Sequence, residues 1–377
     1  MRHNIVVFTG SRADFSLLLP LITRLESEHN VTVLASGGHL QKEQGYTINT
    51  VKESVHTDVI SADIALDNDK DLTHIISHAT RVYGDILSTL KCTLFIVLGD
   101  RYEAFAAAIA ANLKFIPILH LHGGEETLGA QDNYFRNCIT KLSAYHFVSC
   151  ERYRQRVIQM GEHPSCVFNT GAIGLYNVHN MQIWSKERLY QELGLAPDDK
   201  FFLITLHPET MSDNADYMVM QLLEALDNFK DYRMIFTAAN ADTGGDIINA
   251  AIQKKCAEAD NCNFFYSLGI LRYINAMRYA CAIIGNSSSA LIEAPSLNAH
   301  IIDIGQRQAG RVRADCVISC KCSKEQIKNA IDSTLLRDDT LPDNPYYKED
   351  TVAAMCSIIA SLNTDNIMQK AFYDLKE

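Results

Sequence analysis

The sequence predicts an α/β protein made of two doubly wound parallel domains. Three observations carry that expectation. At 377 residues the chain is too long for one ordinary core, so two domains is the starting point. Short apolar runs alternate with segments of helical periodicity along the whole chain, which is the pattern of repeated β–α–β units. Small, polar and charged residues follow the apolar runs, at the strand ends where open α/β sheets bind ligands. The halves join near residues 172–185, without a repeat at the residue level. The expected domains are 1–175 and 176–359, with a C-terminal helix over about 360–377 packing back on the first.

In the first half, Ile5 to Thr9 reads as a strand, Gly10-Ser11-Arg12-Ala13-Asp14-Phe15 as a turn, and Leu17 to Leu25 as a helix. Gly10 permits a tight turn. Arg12 stands at the strand end, as an anion contact or as a surface arginine. Val31 to Leu34 is a second strand, residues 66–72 a polar loop, and Thr73 to Leu90 a helix. Leu94 to Leu98 is a buried strand ending in Gly99-Asp100-Arg101, before an alanine-rich helix. Asp100 is an N-cap or an acid/base group, and Arg101 beside it an anion contact. The strand Phe115 to Leu121 ends in His120-Leu-His122-Gly-Gly-Glu125-Glu126. Alternate strand residues share a face, so the two histidines begin a metal set, completed by Asp132 or Glu125 if at all. The loop continues through Gly129, Asp132 and Asn133 to Arg136, which begins a helix. This is the densest polar cluster of the half and its catalytic candidate. Strands at 146–149 and 167–170 flank a helix over 151–160.

In the second half, the strand Phe201 to Leu206 meets His207-Pro208-Glu209-Thr210. Pro208 stops the strand and leaves His207 at the rim as an acid/base candidate or a plain surface histidine. A strand at 234–238 ends in Asn240-Ala-Asp242, and one at 264–268 ends in a turn. Helices cover 215–229, 246–259 and 273–280. The stretch 281–295, CAIIGNSSSALIEAP, then places Ser287, Ser288 and Ser289 between a strand and a helix starting at Ala290. Backbone N–H groups there form an anion site. Glu293, a turn later, is placed for ribose hydroxyls. The plain alternative is a serine-capped helix with a solvated glutamate. His300 to Ile304 is a strand, followed by the loop Gly305 to Arg311. The tail reads as helices at 351–362 and near Met368 to Leu375.

A net charge of −11 argues against nucleic acid and anionic membrane as partners. An anionic ligand would need local arginines, with Arg12, Arg101, Arg136, Arg307, Arg311 and Arg313 as candidates. No run of about 18 apolar residues exists to span a membrane. The apolar stretch after Met-Arg-His-Asn is too short for a signal peptide, so a cytoplasmic protein is expected. Eleven scattered cysteines without a CxxC suggest reduced thiols rather than disulfides or zinc.

The set GSRADF (10–15), LGDRYE (98–103), HLHGGE (120–125), Asp132 with FRNCITKLS (135–143), HPET (207–210), NADTG (240–244), GNSSS with Glu293, and GQRQAGR (305–311) resembles the hydrolysing UDP-N-acetylglucosamine 2-epimerases of bacterial sialic acid biosynthesis. The likeness covers nearly the whole chain in order. It implies two Rossmann-like domains in a GT-B-like arrangement, with a UDP-sugar in the cleft between them. It also implies release of N-acetylmannosamine and UDP, no cofactor or metal, and a homo-oligomer, dimer or tetramer. Carried over by position, Arg12, Ser287 and Ser288 would hold the diphosphate. Glu293 would hold the ribose, and Leu268 would meet the uracil. Asn240, Asp242 and Arg307, with Arg101 and Asn286 beside these loops, would line the nucleotide or sugar side. Asp100, Asp132, Arg136 and His207 match acid/base and sugar-contacting positions. Many members carry a catalytic glutamate where this chain has His122, so either His122 or Glu125 takes that role. Asn133 and Asn137 stand where members often have Asp and His.

The C2 proton of such a sugar becomes acidic only as the C1–O bond breaks. The implied reaction is elimination of UDP to a glycal and hydration with inversion at C2, served by several acid/base groups worth roughly 10²–10⁴ each. A helix dipole adds only about 0.3–2 kcal/mol toward an anion, so arginines must contribute. Other readings are a 2-epimerase of a UDP-2,4-diacetamido-trideoxy sugar for a legionaminic-acid-type pathway, a non-hydrolysing epimerase, a glycosyltransferase, and a non-catalytic UDP-sugar-binding protein.

Overall fold

The computed structural model describes residues 2–375 except 43–44, 66–70, 129, 210, 213, 241–242, 338–342 and 365–368. Asp242, Gly129, Thr210 and most of the loop 66–72, all named above, lie outside the described residues.

The elements run β1 (Asn4–Thr9), α1 (Arg12–Glu26), β2 (Asn30–Ser36), α2 (Ile48–Ser54), β3 (Asp58–Ala62), α3 (Leu72–Thr89), β4 (Leu94–Leu98), α4 (Tyr102–Leu113), β5 (Ile118–Leu121), α5 (Asp132–Leu142), β6 (Tyr145–Val148), α6 (Glu151–Gln159) and β7 (Val167–Asn169). They continue through α7 (Gly174–Asn180), α8 (Lys186–Leu193), β8 (Lys200–Thr205), α9 (Ala215–Leu226), β9 (Tyr232–Thr237), α10 (Gly245–Glu258), β10 (Cys262–Phe265), α11 (Gly269–Tyr279), β11 (Ala282–Gly285), α12 (Ser288–Ile292), β12 (Ile301–Ile304), β13 (Val317–Cys320), α13 (Lys324–Leu335) and α14 (Thr351–Ser361).

Two compact units result. The first comprises residues 1–125, 132–177 and 346–377, and the second 126–131 and 178–345. The first holds a seven-stranded sheet of order β3-β2-β1-β4-β5-β6-β7, and the second a six-stranded sheet of order β10-β9-β8-β11-β12-β13. Neighbouring strands are parallel throughout. Both sheets are therefore doubly wound, and each has one point where the strand order reverses. In the first unit that point lies between β1 and β4, in the second between β8 and β11.

Strand alternation explains the cores. From β1 and β4, Ile5, Val7, Leu94 and Ile96 bury one face against α1 and α14, while Val6, Phe8, Phe95 and Val97 bury the other against the alanines of α4 and Tyr83 of α3. Alanine at 104, 106, 107, 108, 110 and 111 lets α4 approach the sheet closely. In the second unit Phe202, Ile204, Phe236, Ile284 and Ile302 meet α9, α10 and α13.

Several details differ from the sequence expectations. The helix α14, assigned above to the second domain, belongs to the first unit and packs on α1. Residues 369–375 carry no helix. That segment is held by Lys370 on Glu162 at 2.8 Å and by the Tyr373 N–H on Gly161 O at 2.9 Å. Phe115 is not in β5 but turns with φ +57°. The helix α5 starts at Asp132, one turn before Arg136.

Candidate functional site

Because β1 and β4 meet at the reversal point, their carboxyl ends bring the Gly10–Arg12 and Gly99–Arg101 turns to one edge of the first sheet. At the first, Asp14 accepts from the Gly10 N–H at 2.8 Å and from the Ser11 hydroxyl, so it braces the turn. Arg12 opens α1 and is exposed. At the second, Gly99 takes φ +79°, and His120 receives the turn: its Nε2 donates to Gly99 O at 2.8 Å while Nδ1 meets Thr140 Oγ1 at 3.1 Å. Burial first of all pushes His120 down to about 3, so it is a neutral strut beneath Asp100. Asp100 pairs with Arg136, a guanidinium buried to 2% exposure that also donates to Glu125 O at 3.0 Å and Asn133 Oδ1 at 3.2 Å. Arg101 forks onto buried Glu103 at 3.1 and 3.2 Å.

The strand β5 ends one residue before His122, whose φ of +66° breaks the alternation. The two histidines thus turn to different partners, and the expected shared face does not form. His122 Nδ1 lies 2.9 Å from Glu125 Oε1, and the same oxygen accepts the Ser149 hydroxyl at 2.6 Å. The Ile173 N–H points at His122 Nε2 from 3.4 Å. Among the described residues no three His, Cys, Asp or Glu side chains are grouped to hold a metal. Gly124 has φ +75°, and a Cβ on it would lie 2.7 Å from Tyr153 O, so the double glycine lets the loop rest directly on α6. Asp132, half-buried, begins α5.

The second unit builds its switch point differently. Asn286, fully buried, accepts the His207 N–H on Oδ1 at 2.7 Å and donates Nδ2 to His207 O at 2.8 Å. Its carboxamide therefore braces the HPET turn. Gly285 before it must be glycine: at φ +143° a Cβ would overlap the Thr205 carbonyl. The Asn240 N–H donates to His207 Nδ1 at 3.1 Å, which leaves the proton on Nε2. Burial, then the charge of Arg307, push His207 down to about 3. His207 is a neutral hydrogen-bond donor at pH 7, not a base.

Ser287 is the N-cap of α12 without capping it. Its hydroxyl meets Ser289 Oγ at 2.9 Å, which meets Tyr273 OH at 2.9 Å. The serines thus do not form the ordinary cap of the plain reading. Glu293 closes α12 with 9% exposure, and Leu268 is buried before α11. The loop after β12 is fastened by Glu209 on the Gln306 N–H at 2.6 Å and by Arg313 on Asp303 at 2.7 Å. Fastened so, it aims Gln308 Nε2 (2.8 Å) and Arg307 Nη1 (3.4 Å) at Asn286 O.

Sequence reasoning missed Ser149, Glu209, Gln308 and Asp303. Ser149 follows a strand that adjoins β5, and that adjacency was the one signal available.

The model of the UDP-N-acetylglucosamine 2-epimerase family matches residues 23–360. The Escherichia coli polysialic acid biosynthesis protein P7 is 36% identical over 99% of this chain and 98% of its own. A Campylobacter jejuni GDP/UDP-N,N'-diacetylbacillosamine 2-epimerase (hydrolyzing) is 34% identical over 99% and 100%. The crystal structure of the Neisseria meningitidis UDP-GlcNAc 2-epimerase bound to UDP-GlcNAc superposes with a TM-score of 0.78 at 17% identity, covering 95% of this chain and 100% of that one, and shares the GT-B-like fold. With the family model and two full-length relatives in agreement, the chain belongs to the UDP-N-acetylglucosamine 2-epimerase family.

Proposed function

We propose that this enzyme hydrolyses UDP-N-acetylglucosamine to N-acetylmannosamine and UDP, with inversion at C2, for sialic acid synthesis. The observation that carries the reading is the pairing of His122 with Glu125 at the end of β5, next to the strand that presents Asp100. Inversion at C2 needs proton carriers on a sugar that offers no acidic proton in its ground state.

In the first step a base takes the C2 proton as the C1–O electron pair leaves with UDP, giving the 2-acetamidoglucal. In the second, water adds its oxygen at C1 and C2 receives a proton from the opposite face. Asp100, Asp132 and the His122–Glu125 pair serve as the carriers. Arg136 pairs with the Asp100 carboxylate and fixes its orientation. Neutral His207 donates from Nε2 to the departing phosphate or the sugar. Arg12, Arg307, Ser287 and Ser288 receive the diphosphate, Glu293 the ribose and Leu268 the base. Arg101, Asn240 and Asp242 complete the binding set.

A second reading has a specific support. Two relatives named as hydrolysing diacetylbacillosamine 2-epimerases, from Campylobacter jejuni and Legionella pneumophila, are 34% and 31% identical to this chain. A UDP-2,4-diacetamido-trideoxy sugar would undergo the same two steps. Proton NMR in deuterated water, with each sugar nucleotide in turn, separates them. UDP and C2-deuterated N-acetylmannosamine from the first support the proposal. Turnover of the second alone moves the substrate to the diacetamido class, and turnover of neither leaves a UDP-sugar-binding protein.

A further inference from the structure

We propose that Ser149 is a positioning residue for the proton-carrying histidine, forming with Glu125 and His122 a relay in which the serine aims the carboxylate and the carboxylate sets the imidazole tautomer. The inference rests on the function proposed above and adds the residue that makes His122 competent.

Three observations converge. First, Oε1 of Glu125 takes both hydrogen bonds, from the Ser149 hydroxyl at 2.6 Å and from His122 Nδ1 at 2.9 Å. The first of these has the length of a charge-assisted O–H···O⁻ bond. Second, water is excluded. Ser149 is 0% exposed, Glu125 3% and His122 9%. In such surroundings a carboxylate keeps its charge only through the donors it meets. Third, the backbone holds the three together. The His122 N–H donates to Phe147 O at 2.8 Å, which ties the histidine to β6 two residues before Ser149. Gly124 and Arg156 lock the intervening loop on α6, Arg156 donating to Gly124 O at 2.8 Å.

The consequence is a defined tautomer. An ionised Glu125 accepts only, so the proton of a neutral His122 rests on Nδ1 and the lone pair on Nε2. The Ile173 N–H donates to that lone pair at 3.4 Å, a long bond that favours the same tautomer. Nε2 can exchange a proton only as the Ile173 contact is given up, while the Glu125 carboxylate holds the ring at Nδ1. Without Ser149 the carboxylate loses a charge-assisted donor, and both the aim and the tautomer preference weaken. His122 and Glu125 together thus supply what a single carboxylate at position 122 would supply alone.

The test uses Ser149→Ala, the nearly isosteric Ser149→Cys and Glu125→Gln in the full chain. On the turned-over sugar nucleotide, Ser149→Ala should lower kcat roughly ten- to a hundredfold with KM within about twofold, and Ser149→Cys should fall between. In the Glu125→Gln background the serine substitution should cost less than about twofold further, because the relay is already broken. A second readout does not need turnover. Long-range ¹H–¹⁵N spectra of ¹⁵N-histidine-labelled protein, with the His122 signals assigned by His122→Gln, should show the Nδ1–H form in the parent and a tautomer mixture in Ser149→Ala. An unchanged His122 tautomer overturns the proposal, as does an undiminished serine effect in the Glu125→Gln background. If the parent turns over neither sugar nucleotide, the function reading falls while the spectra still decide the relay.

Discussion

The two sheets share a topology, yet their switch points are built from opposite materials. At the first, carboxylates meet basic side chains. Asp100 faces Arg136, His122 faces Glu125, and Arg101 faces Glu103. At the second, the innermost contacts are mostly neutral, with the Arg307 guanidinium reaching Asn286 O. Asn286 clasps the His207 backbone, Gln308 reaches Asn286 O, and two serines and a tyrosine share hydroxyl protons. An ion pair, Asp303 with Arg313, fastens the loop from beside Gly285, its carboxylate buried. Under the function proposed above, the difference divides the labour. Proton transfer needs titratable groups whose charge is balanced locally. Holding a nucleotide needs fixed dipoles and cations that do not titrate near neutrality, and a neutral His207 fits that role.

The sharpest way to break the comparison is Asp100→Asn. It removes the proposed proton carrier and strips buried Arg136 of its partner carboxylate. We expect kcat to fall by about 10²–10⁴, with UDP affinity by calorimetry within about threefold of the parent. A comparable loss of UDP binding would mean that the charged cluster also holds the nucleotide, and the division would fail. The converse is Arg307→Ala. It should weaken UDP binding by roughly 1.5–3 kcal/mol and leave kcat at saturation nearly intact.

Much of this arrangement was readable in the sequence for a physical reason. Buried parallel strands are apolar on both faces, so LFIVL at β4 and AIIG at β11 announce themselves, and the residues after them must be the strand-end loops. What was missed lies at the sheet edges. Asp58–Ala62 and Val317–Cys320 are edge strands with half-exposed faces and no continuous apolar run. The helix α13 offers a narrow apolar stripe of Ile327, Ala330 and Ile331. Roles were harder than places. Asp100, His122, Glu125 and His207 were named, but their partners come from distant sequence, as Ser149 does for Glu125 and Asn286 for His207. A lone serine or asparagine carries no local sign of the group it will meet.

Two substitutions at the end of one strand sharpen the neutral side. Gly285→Ala would force β11 away from the Thr205 carbonyl, at a cost of about 1–3 kcal/mol in denaturant unfolding. Asn286→Ala leaves the His207 N–H and C=O without their partner, which costs about 1–3 kcal/mol for each buried group left unmet. Their effects on the ligand should differ. Loss of the Asn286 carboxamide should also release the HPET turn and weaken UDP binding about tenfold or more. If UDP affinity stayed at the parental value, the brace would be structural only.

The smallest effect asks whether the units also differ in acid stability. In the first unit His39, His120 and His146 are buried with pKa values lowered chiefly by desolvation, His120 to about 3. In the second His207 is lowered likewise, to about 3, but is half-buried, and His179 is lowered by burial. Each such histidine takes a proton near its ordinary pKa of 6.5 when unfolded and only below it when folded. Its contribution to stability is therefore complete above pH 6.5 and is lost as pH falls below that, at up to about 1.4 kcal/mol per pH unit for each group. With more fully buried neutral imidazoles, the first unit should loosen first between pH 6.5 and 5. Hydrogen exchange read by segment, corrected for the intrinsic rate at each pH, would show β4, β5 and β6 losing protection ahead of β8 and β11. Equal loss in both sheets would mean that the units unfold as one cooperative body, and the electrostatic contrast between the switch points would then have no counterpart in stability.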